Sequence, residues 1–324
     1  MNTLSVLARQ VLACYDLPKD CRITLVNLTE NATFCVTATH GRKWALRLHR
    51  VGYHSEVSIA SELVWVIALR KDGVAATPQP IAGRNGALVQ EIIDPETTKT
   101  RHAVLFHWQE GTEPKIDQDL KPSFETLGAI AAQMHLHAKK WQHPENFTRL
   151  TWDFSGALGD ENPHWGHWRN GIAVDDHTAN IFQTTINCIR RRLESYGKDT
   201  ARFGLIHGDC RLSNLLVNGN EIKIIDFDDC GFGWFMYDAA VTVSFHEHDP
   251  KVPDLIAAWV KGYRTIATLS TADENEIPTF IMMRRLLLVA WLGSRPETEL
   301  AKSLGAQYTN DTIALCHTYL GDFA

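Results

Sequence analysis

Residues 205–229 read LIHGDCRLSNLLVNGNEIKIIDFDD, and this stretch decides which fold we predict. The runs Leu215–Val217 and Ile222–Ile225 have the apolar content of core strands, yet a histidine, four aspartates and Asn214 lie around them. Burying such polar groups without partners costs roughly 2–7 kcal/mol each. We therefore expect a bound ligand or metal ion to compensate for their burial.

A hairpin is predicted within this stretch, because Asn218-Gly219 between two apolar runs is typical of a tight turn. Positions equidistant from a hairpin turn are neighbours, so Asn214 and Asp226 would come together. Amide and carboxylate oxygens are hard ligands that suit Mg²⁺. Asp209, shortly before Asn214, suits a base that accepts a proton from an attacking hydroxyl. Any one of these residues alone is more often a cap or a solvated turn residue, but their order together favours a site.

At this point a resemblance to a known family is clear. HGDCRLSN followed by IDFDD resembles the signature of the aminoglycoside phosphotransferase and choline kinase family, small-molecule kinases with a protein-kinase-like fold. The resemblance implies that Asp209 is the catalytic base and that Asn214 and Asp226 bind magnesium next to the phosphates of ATP. It also implies a structural role for His207 in the catalytic loop. Asp228 either assists the metal ions or only fixes the loop, and we count it among the candidate metal ligands.

The rest of the chain agrees with the fold that this resemblance implies, over about residues 22–245. The N-terminal part predicts strands and one helix, in the order Arg22–Leu28, Ala32–Thr39, Lys43–His49, helix Ser55–Arg70, Ala87–Ile93 and His102–Phe106. Later segments have helical periodicity, first in a helix capped by Ser123 and again from Phe182 to Tyr196. We predict an α+β fold with two lobes, an N-terminal antiparallel sheet plus helix and a mostly helical C-terminal lobe.

The predicted lobes have different tasks. Residues 1–106 form a nucleotide-binding lobe, residues 107–112 form a hinge, and residues 113–324 form a catalytic and substrate lobe. In the hinge segment VLFHWQEG, which resembles that of the family, His107 and Gln109 would present main-chain groups to adenine, and Phe106 would line the pocket. An ordinary edge strand leading into a loop is the alternative.

A phosphate-binding cation is predicted on the third strand. Arg47 lies there, and Glu62 in the following helix is spaced to position it, with Glu56 as the competing partner. An arginine can bind phosphate through two parallel hydrogen bonds, although a solvated strand residue is the alternative role. The loop Leu28–Thr33 resembles the family's phosphate-covering loop but lacks the glycines that let a main chain approach phosphate closely.

Composition and charge narrow the class of protein. The chain of 324 residues has a net charge of −6, which gives no electrostatic reason to bind nucleic acid or an anionic membrane. Residues 1–20 lack a secretion signal and predict an amphipathic helix. The apolar run Phe280–Leu292 contains Arg284 and Arg285 and is shorter than the roughly 20 residues of a membrane span, so we expect a buried helix. Seven scattered cysteines without a CxxC pair favour a reducing cytoplasm.

We therefore predict an ATP- and Mg²⁺-dependent phosphotransferase that acts on a hydroxyl group of a small molecule, with neither nucleic acid nor membrane as a partner. The acidic chain and the tryptophan-containing segment Trp152–Trp168 suit an amine-bearing alcohol such as homoserine or hydroxylysine. An aminoglycoside kinase, a stress-type Ser/Thr protein kinase and a non-catalytic nucleotide-binding module are the alternatives. The retained Asp209 argues against the module, because a binding protein needs no base. The sequence leaves the acceptor and the oligomeric state open.

Overall fold

The computed structural model describes residues 3–28, 31–115, 117–219 and 221–324. Thr29 and Glu30, in the loop predicted to cover the nucleotide phosphates, lie outside the described residues. The chain divides into two compact units, which are residues 1–111, 142–149 and 223–228 for the first and residues 112–141, 150–222 and 229–324 for the second. Two short segments from later in the chain thus pack with the N-terminal residues. The lobe and hinge boundaries given above stay a prediction.

The first unit is an antiparallel sheet with two helices, as predicted. Its elements are α1 (Thr3–Leu12), β1 (Arg22–Leu28), β2 (Ala32–Thr37), β3 (Lys43–Leu48), α2 (Glu56–Lys71), β4 (Pro80–Ile81), β5 (Gln90–Ile93) and β6 (Thr100–His107). The strands lie in the order β1-β2-β3-β6-β4, and β5 pairs with β6. The strand predicted from Ala87 begins only at Gln90, because Gly86 turns the chain there with a φ of +79°.

The two faces of this sheet bury different helices. Alternate residues of a strand point to opposite faces, so Leu105 packs with the cluster around α1, whereas Val104 packs on the other face. Ile59 and Leu63 of α2 join Val104 in that second cluster. Each fully buried side chain of this kind contributes about 1.5–3 kcal/mol. This packing holds α2 against the sheet and positions Glu62, the residue between these apolar positions.

The second unit is mostly helical, as predicted. Its elements are α3 (Lys121–Ala138), β7 (Leu150–Trp152), α4 (Phe154–Leu158), α5 (Asp176–Tyr196), β8 (Phe203–Ile206), β9 (Leu215–Asn218), β10 (Glu221–Ile224), β11 (Gly231–Trp234), α6 (Tyr237–Val241), α7 (Val252–Arg264), α8 (Thr271–Ser294) and α9 (Glu299–Phe323). The last two residues of β10 belong to the first unit. β9 pairs with β10, which confirms the predicted hairpin, and Gly219 takes the positive φ of +61° that its turn needs.

One predicted helix start is wrong. The structure begins α3 at Lys121, so Ser123 lies inside the first turn and does not cap it. The reason is Pro122, whose fixed φ suits the first turn of a helix and whose missing N–H would have no partner there in any case. The helix predicted up to Tyr196 is confirmed, and Asp175 caps it by accepting a hydrogen bond from the N–H of Thr178.

The apolar helix α8 lies in the core of the second unit. It is long and apolar enough to span a membrane, but 78% of its most apolar window is buried inside the protein. Arg284 and Arg285 are also buried within it. The predicted buried helix is therefore confirmed, with two charged side chains that need partners in the interior.

Helices α3 and α7 cross at unusually close range. A Cβ atom on Gly128 would lie 1.9 Å from the main-chain oxygen of Trp259, and one on Gly262 would lie 1.7 Å from that of Glu125. Only glycine therefore fits at these two positions. The close crossing brings Tyr263 of α7 within 3.2 Å of Nδ1 of His135 on α3, next to the candidate site.

Candidate active site

The predicted catalytic loop begins where β8 ends. β8 pairs antiparallel with β11, so that Ile206 faces Gly231 and the two ends of the 205–229 stretch are held side by side. Gly208 has a φ of +75°, and a Cβ there would lie 2.7 Å from the main-chain oxygen of Asp229 and 3.0 Å from Nε1 of Trp152. The loop therefore needs glycine at this position for both conformation and space.

Asp238 of α6 holds the main chain of this loop. Its carboxylate accepts hydrogen bonds from the N–H groups of His207 at 3.0 Å and Gly208 at 2.9 Å, and it lies 3.0 Å from Nε2 of His135. Burial tends to raise the pKa of Asp238, but His135, His207 and the Gly208 N–H hold it below its ordinary value. Asp238 was not predicted from the sequence, where its only signal is a single carboxylate in an apolar run.

Asp209, the predicted base, is buried and fully engaged. One carboxylate oxygen lies 2.5 Å from Nη2 of Arg284. The other accepts hydrogen bonds from Nδ2 of Asn214 at 2.7 Å and from Nε of Arg211 at 3.1 Å. The amide nitrogen of Asn214 donates to Asp209, so its amide oxygen is the atom with which the predicted metal ion would be bound; metal binding by Asn214 stays a prediction.

Arg284 was missed in the sequence as a site residue. Besides Asp209, it donates hydrogen bonds to the Ser244 hydroxyl at 3.0 Å and to the Tyr237 hydroxyl at 3.2 Å. Its guanidinium lies 4.7 Å from the centre of the Trp165 ring. Burial tends to lower the pKa of Arg284, but Tyr237 and Asp209 raise it, so the side chain stays charged. The sequence signal was an arginine inside an apolar run, which indicates a buried partner but not which one.

In the first unit, Arg47 pairs with Glu62 and not with the exposed Glu56. Its Nη2 atom donates to both carboxylate oxygens of Glu62, at 2.6 and 2.7 Å, and both side chains are buried. Burial tends to lower the pKa of Arg47, but Glu62, Asp228 and Asp226 raise it. The guanidinium also lies 5.2 Å from the centre of the Phe106 ring. The cation is therefore held in a defined place, and its phosphate-binding role stays a prediction.

Asp226 and Asp228 lie in different environments of the same unit. Asp226 has a φ of +62°, and its carboxylate is 3.5 Å from Nη1 of Arg47. Asp228 is buried, and Asn31 donates a hydrogen bond to it at 2.7 Å. Burial tends to raise the pKa of Asp228, but Arg47 and then His49 hold it well below its ordinary value. The residue between them, Phe227, packs edge-on against Trp65 of α2.

The predicted adenine-binding residues lie at the end of β6. The main-chain N–H of His107 donates to the carbonyl of Gln79 at 2.9 Å. Nε2 of Gln109 donates to the carbonyl of His107 at 3.5 Å. Phe106 is buried beside Arg47. Adenine binding at these residues stays a prediction.

The structure thus groups the candidate residues in two sets. Asp209 and Asn214 are in direct contact within the second unit. The first unit contains the others, which are Arg47, Glu62, Phe106, His107, Gln109, Asp226 and Asp228.

Comparison with known proteins identifies the family. A family model described as a phosphotransferase enzyme family matches residues 23–274. The solved structure of a microcompartment-associated aminopropanol kinase is 38% identical, covers 98% of both chains and has a TM-score of 0.90. An amicoumacin kinase in complex with AMP-PNP and Ca²⁺ is 20% identical, with a TM-score of 0.79 over 96% of this chain and 93% of its own. A homoserine kinase of Gluconobacter oxydans is 24% identical over 77% of this chain and 74% of its own.

The predicted α+β, protein-kinase-like fold is confirmed, because the antiparallel sheet and the helical second part match structures of that fold along almost their whole length. The amicoumacin kinase structure is a complex with the nucleotide analogue AMP-PNP and with Ca²⁺. The chain belongs to the phosphotransferase enzyme family and is an ATP-dependent kinase of an alcohol group.

Proposed function

We propose that this chain is a Mg²⁺-dependent kinase of a small amino alcohol of the aminopropanol type. The observation that carries the proposal is the similarity to an aminopropanol kinase along 98% of both chains, at 38% identity. The chemistry of the chain supports the proposal as well, since a buried carboxylate suited to a base, a paired arginine and hard oxygen donors are all present. Homoserine and hydroxylysine are amino alcohols as well, and the similarity to a homoserine kinase keeps them as second candidates.

Asp209 is the proposed catalytic base. Three donors, Arg284, Asn214 and Arg211, hold its carboxylate in one orientation, so little reorganisation is needed when the acceptor hydroxyl arrives. The hydroxyl would attack the γ-phosphoryl group in line while Asp209 accepts its proton. Arg47, fixed by Glu62, would bind the nucleotide phosphates through its remaining N–H groups.

Asn214 and Asp226 are the proposed Mg²⁺ ligands. Their donors fit this ion, because each offers a hard oxygen atom and the Asp226 side chain is 38% exposed. Bound Mg²⁺ would neutralise the charge of the phosphates. Asp226 keeps its carboxylate beside Arg47, which supports a place for it next to the nucleotide.

The segment Trp152–Trp168 is the proposed contributor to the acceptor site. Trp165 lies against Arg284, the partner of Asp209, and Nε1 of Trp152 donates to the carbonyl of Asp229 at 2.7 Å. These contacts support a place for the segment beside the base. The enzyme would work in the cytoplasm, since all seven cysteines are free thiols.

The test is ADP release from Mg-ATP with a panel of acceptors. The panel contains 1-amino-2-propanol, ethanolamine, homoserine, hydroxylysine, an aminoglycoside and a generic protein, each assayed with the natural chain and with Asp209→Asn. We expect turnover with an amino alcohol that falls about 10³-fold in the variant, while nucleotide affinity stays the same.

Turnover with the protein alone would indicate the stress-type kinase, and turnover with the aminoglycoside alone would indicate an antibiotic kinase. Binding of ATP without reaction of any acceptor would favour a non-catalytic nucleotide-binding module. In titration calorimetry, Asp226→Asn should weaken Mg-ATP binding, and an unchanged affinity would argue against its metal-binding role.

A further inference from the structure

We infer that Asp228 is not a metal ligand but the anchor that fixes Asp226 and α2 in place. The inference rests on the proposed role of Asp226 as a Mg²⁺ ligand. The two aspartates are only two positions apart, yet the side chain of Asp226 is 38% exposed and that of Asp228 only 5%. Mg²⁺ keeps several water molecules around it, and a buried carboxylate leaves little room for them.

The carboxylate of Asp228 lies in a polar cage built by three other side chains. Nδ2 of Asn31 donates to one oxygen at 2.7 Å, and the main-chain N–H of Arg50 in turn fixes the Asn31 amide by donating to its oxygen at 3.1 Å. Nε2 of His54 lies 3.6 Å from the same Asp228 oxygen, and Nδ1 of His49 lies 3.4 Å from the other. One oxygen therefore accepts a hydrogen bond from Asn31, and the buried imidazoles of His49 and His54 enclose the rest of the carboxylate.

The main chain of Asp228 is held as firmly as its side chain. Nη2 of Arg149 donates a hydrogen bond to the carbonyl oxygen of Asp228. Nη1 of the same guanidinium donates to the carbonyl of Ser58 at 2.9 Å and to its hydroxyl at 3.0 Å. Ser58 belongs to α2, so Arg149 joins that helix to the segment that carries Asp226.

The contacts of Asp228 are linked to the proposed nucleotide site through α2. α2 also carries Glu62, which positions Arg47. Through Arg149 and its own cage, Asp228 thus connects the helix that orients Arg47 with the partly exposed Asp226. A residue in this place acts on the reaction by positioning two others, and coordination of a metal ion through the oxygen that Asn31 binds would break that hydrogen bond.

The test compares Asp228→Asn with Asp226→Asn and uses readouts other than turnover. The first readout is the melting temperature of the metal-free protein. The second is the number of Mn²⁺ ions bound per chain in the presence of ADP, counted by electron paramagnetic resonance. We expect Asp228→Asn to lower the melting temperature by about 4 °C or more and to leave the number of bound ions unchanged.

Asp226→Asn should have the opposite effect on these two readouts. Its melting temperature should stay within about 1 °C, because the side chain is partly exposed and asparagine tolerates a positive φ, whereas the bound Mn²⁺ should be lost. Loss of an ion in Asp228→Asn, or an unchanged melting temperature in that variant, would overturn the inference. Retention of all ions in Asp226→Asn would instead count against the proposed function.

A second variant covers the case in which Asp228→Asn does not fold. His54→Gln removes one wall of the cage and leaves both carboxylates in place. An anchor predicts a lower melting temperature with the same number of bound Mn²⁺ ions. A metal ligand predicts tighter Mn²⁺ binding in this variant, since a group that competes for the carboxylate is gone, and that result would overturn the inference.

Discussion

Arg284 and Arg285 offer a matched pair of perturbations, because they are adjacent on α8, equally buried and bound to different carboxylates. Arg284 pairs with Asp209 at 2.5 Å, whereas Arg285 pairs with Glu247 at 2.8 Å. Breaking a buried ion pair by removing one partner costs about 3–5 kcal/mol. Asp209 keeps hydrogen bonds from Arg211 and Asn214, so we expect Arg284→Met to lie near the lower end, at about 3 kcal/mol.

Arg285→Met should destabilise the protein more. Among the described residues, Glu247 would retain only a long hydrogen bond of 3.4 Å from the Tyr308 hydroxyl. Thr312 would lose the guanidinium that donates a hydrogen bond to its hydroxyl at 2.7 Å. We expect a loss of about 4–5 kcal/mol, measured by urea unfolding at pH 7.5. Arg285→Met should therefore lose more unfolding free energy than Arg284→Met.

Turnover, in contrast, should fall more in Arg284→Met than in Arg285→Met. In Arg284→Met the carboxylate of Asp209 loses the contact that fixes one of its oxygens, and misplacement of a catalytic group by about 1 Å can cost about 100-fold. We expect kcat to fall about 100-fold while the KM for ATP changes less than about twofold. Arg284→Lys should recover part of kcat, because the charge returns without the planar fork. Arg285→Met should keep kcat within about threefold of the natural chain.

Steady-state kinetics would be measured well below the melting temperature of the less stable variant. An equal loss of kcat in both methionine variants would mean that Arg284 acts only through stability. Unchanged kcat in Arg284→Met would refute the reasoning that Asp209 needs this partner for its orientation.

Three further predictions concern the nucleotide site and the core. Glu62→Gln should weaken Mg-ATP binding about 10-fold in calorimetry, by removing the charge that holds the paired arginine, whereas the exposed Glu56→Gln should not. Burial above all lowers the pKa of His54 from 6.5 to about 4, so below pH 6.5 the unfolded chain binds a proton before the folded one. The free energy of unfolding should therefore be about 2 kcal/mol lower at pH 5 than at pH 7.5, and an equal pH response in His54→Gln would contradict this. Gly128→Ala should destabilise the protein strongly, because its Cβ would lie 1.9 Å from a main-chain oxygen. Gly321→Ala is the control, because a Cβ there would meet no atom within 4 Å, and it should raise the free energy of unfolding by about 0.5–1 kcal/mol in the same assay.

Much of this protein was predictable from local patterns. Strand alternation and helical spacing act over a few residues, so the sheet of the first unit, α2 and the hairpin after Asn214 follow from the sequence. The start of α3 was mispredicted because serine is favoured as an N-cap and proline is favoured in the first turn. Ser123 as the N-cap would have left Pro122 outside the helix, whereas the structure has Pro122 inside the first turn.

The sequence by itself determined the fold class and the loop that carries Asp209. It also placed two possible partners of Arg47, Glu56 and Glu62, on the following helix, and the structure shows the ion pair with Glu62, 15 positions away. Only the tertiary structure decided which distant groups satisfy the buried charges. Arg284 reaches Asp209 across 75 positions, and Arg149 reaches the carbonyl of Asp228 across 79. A buried charge must find a partner, but spacing along the chain does not say where, because helix packing brings the partners together.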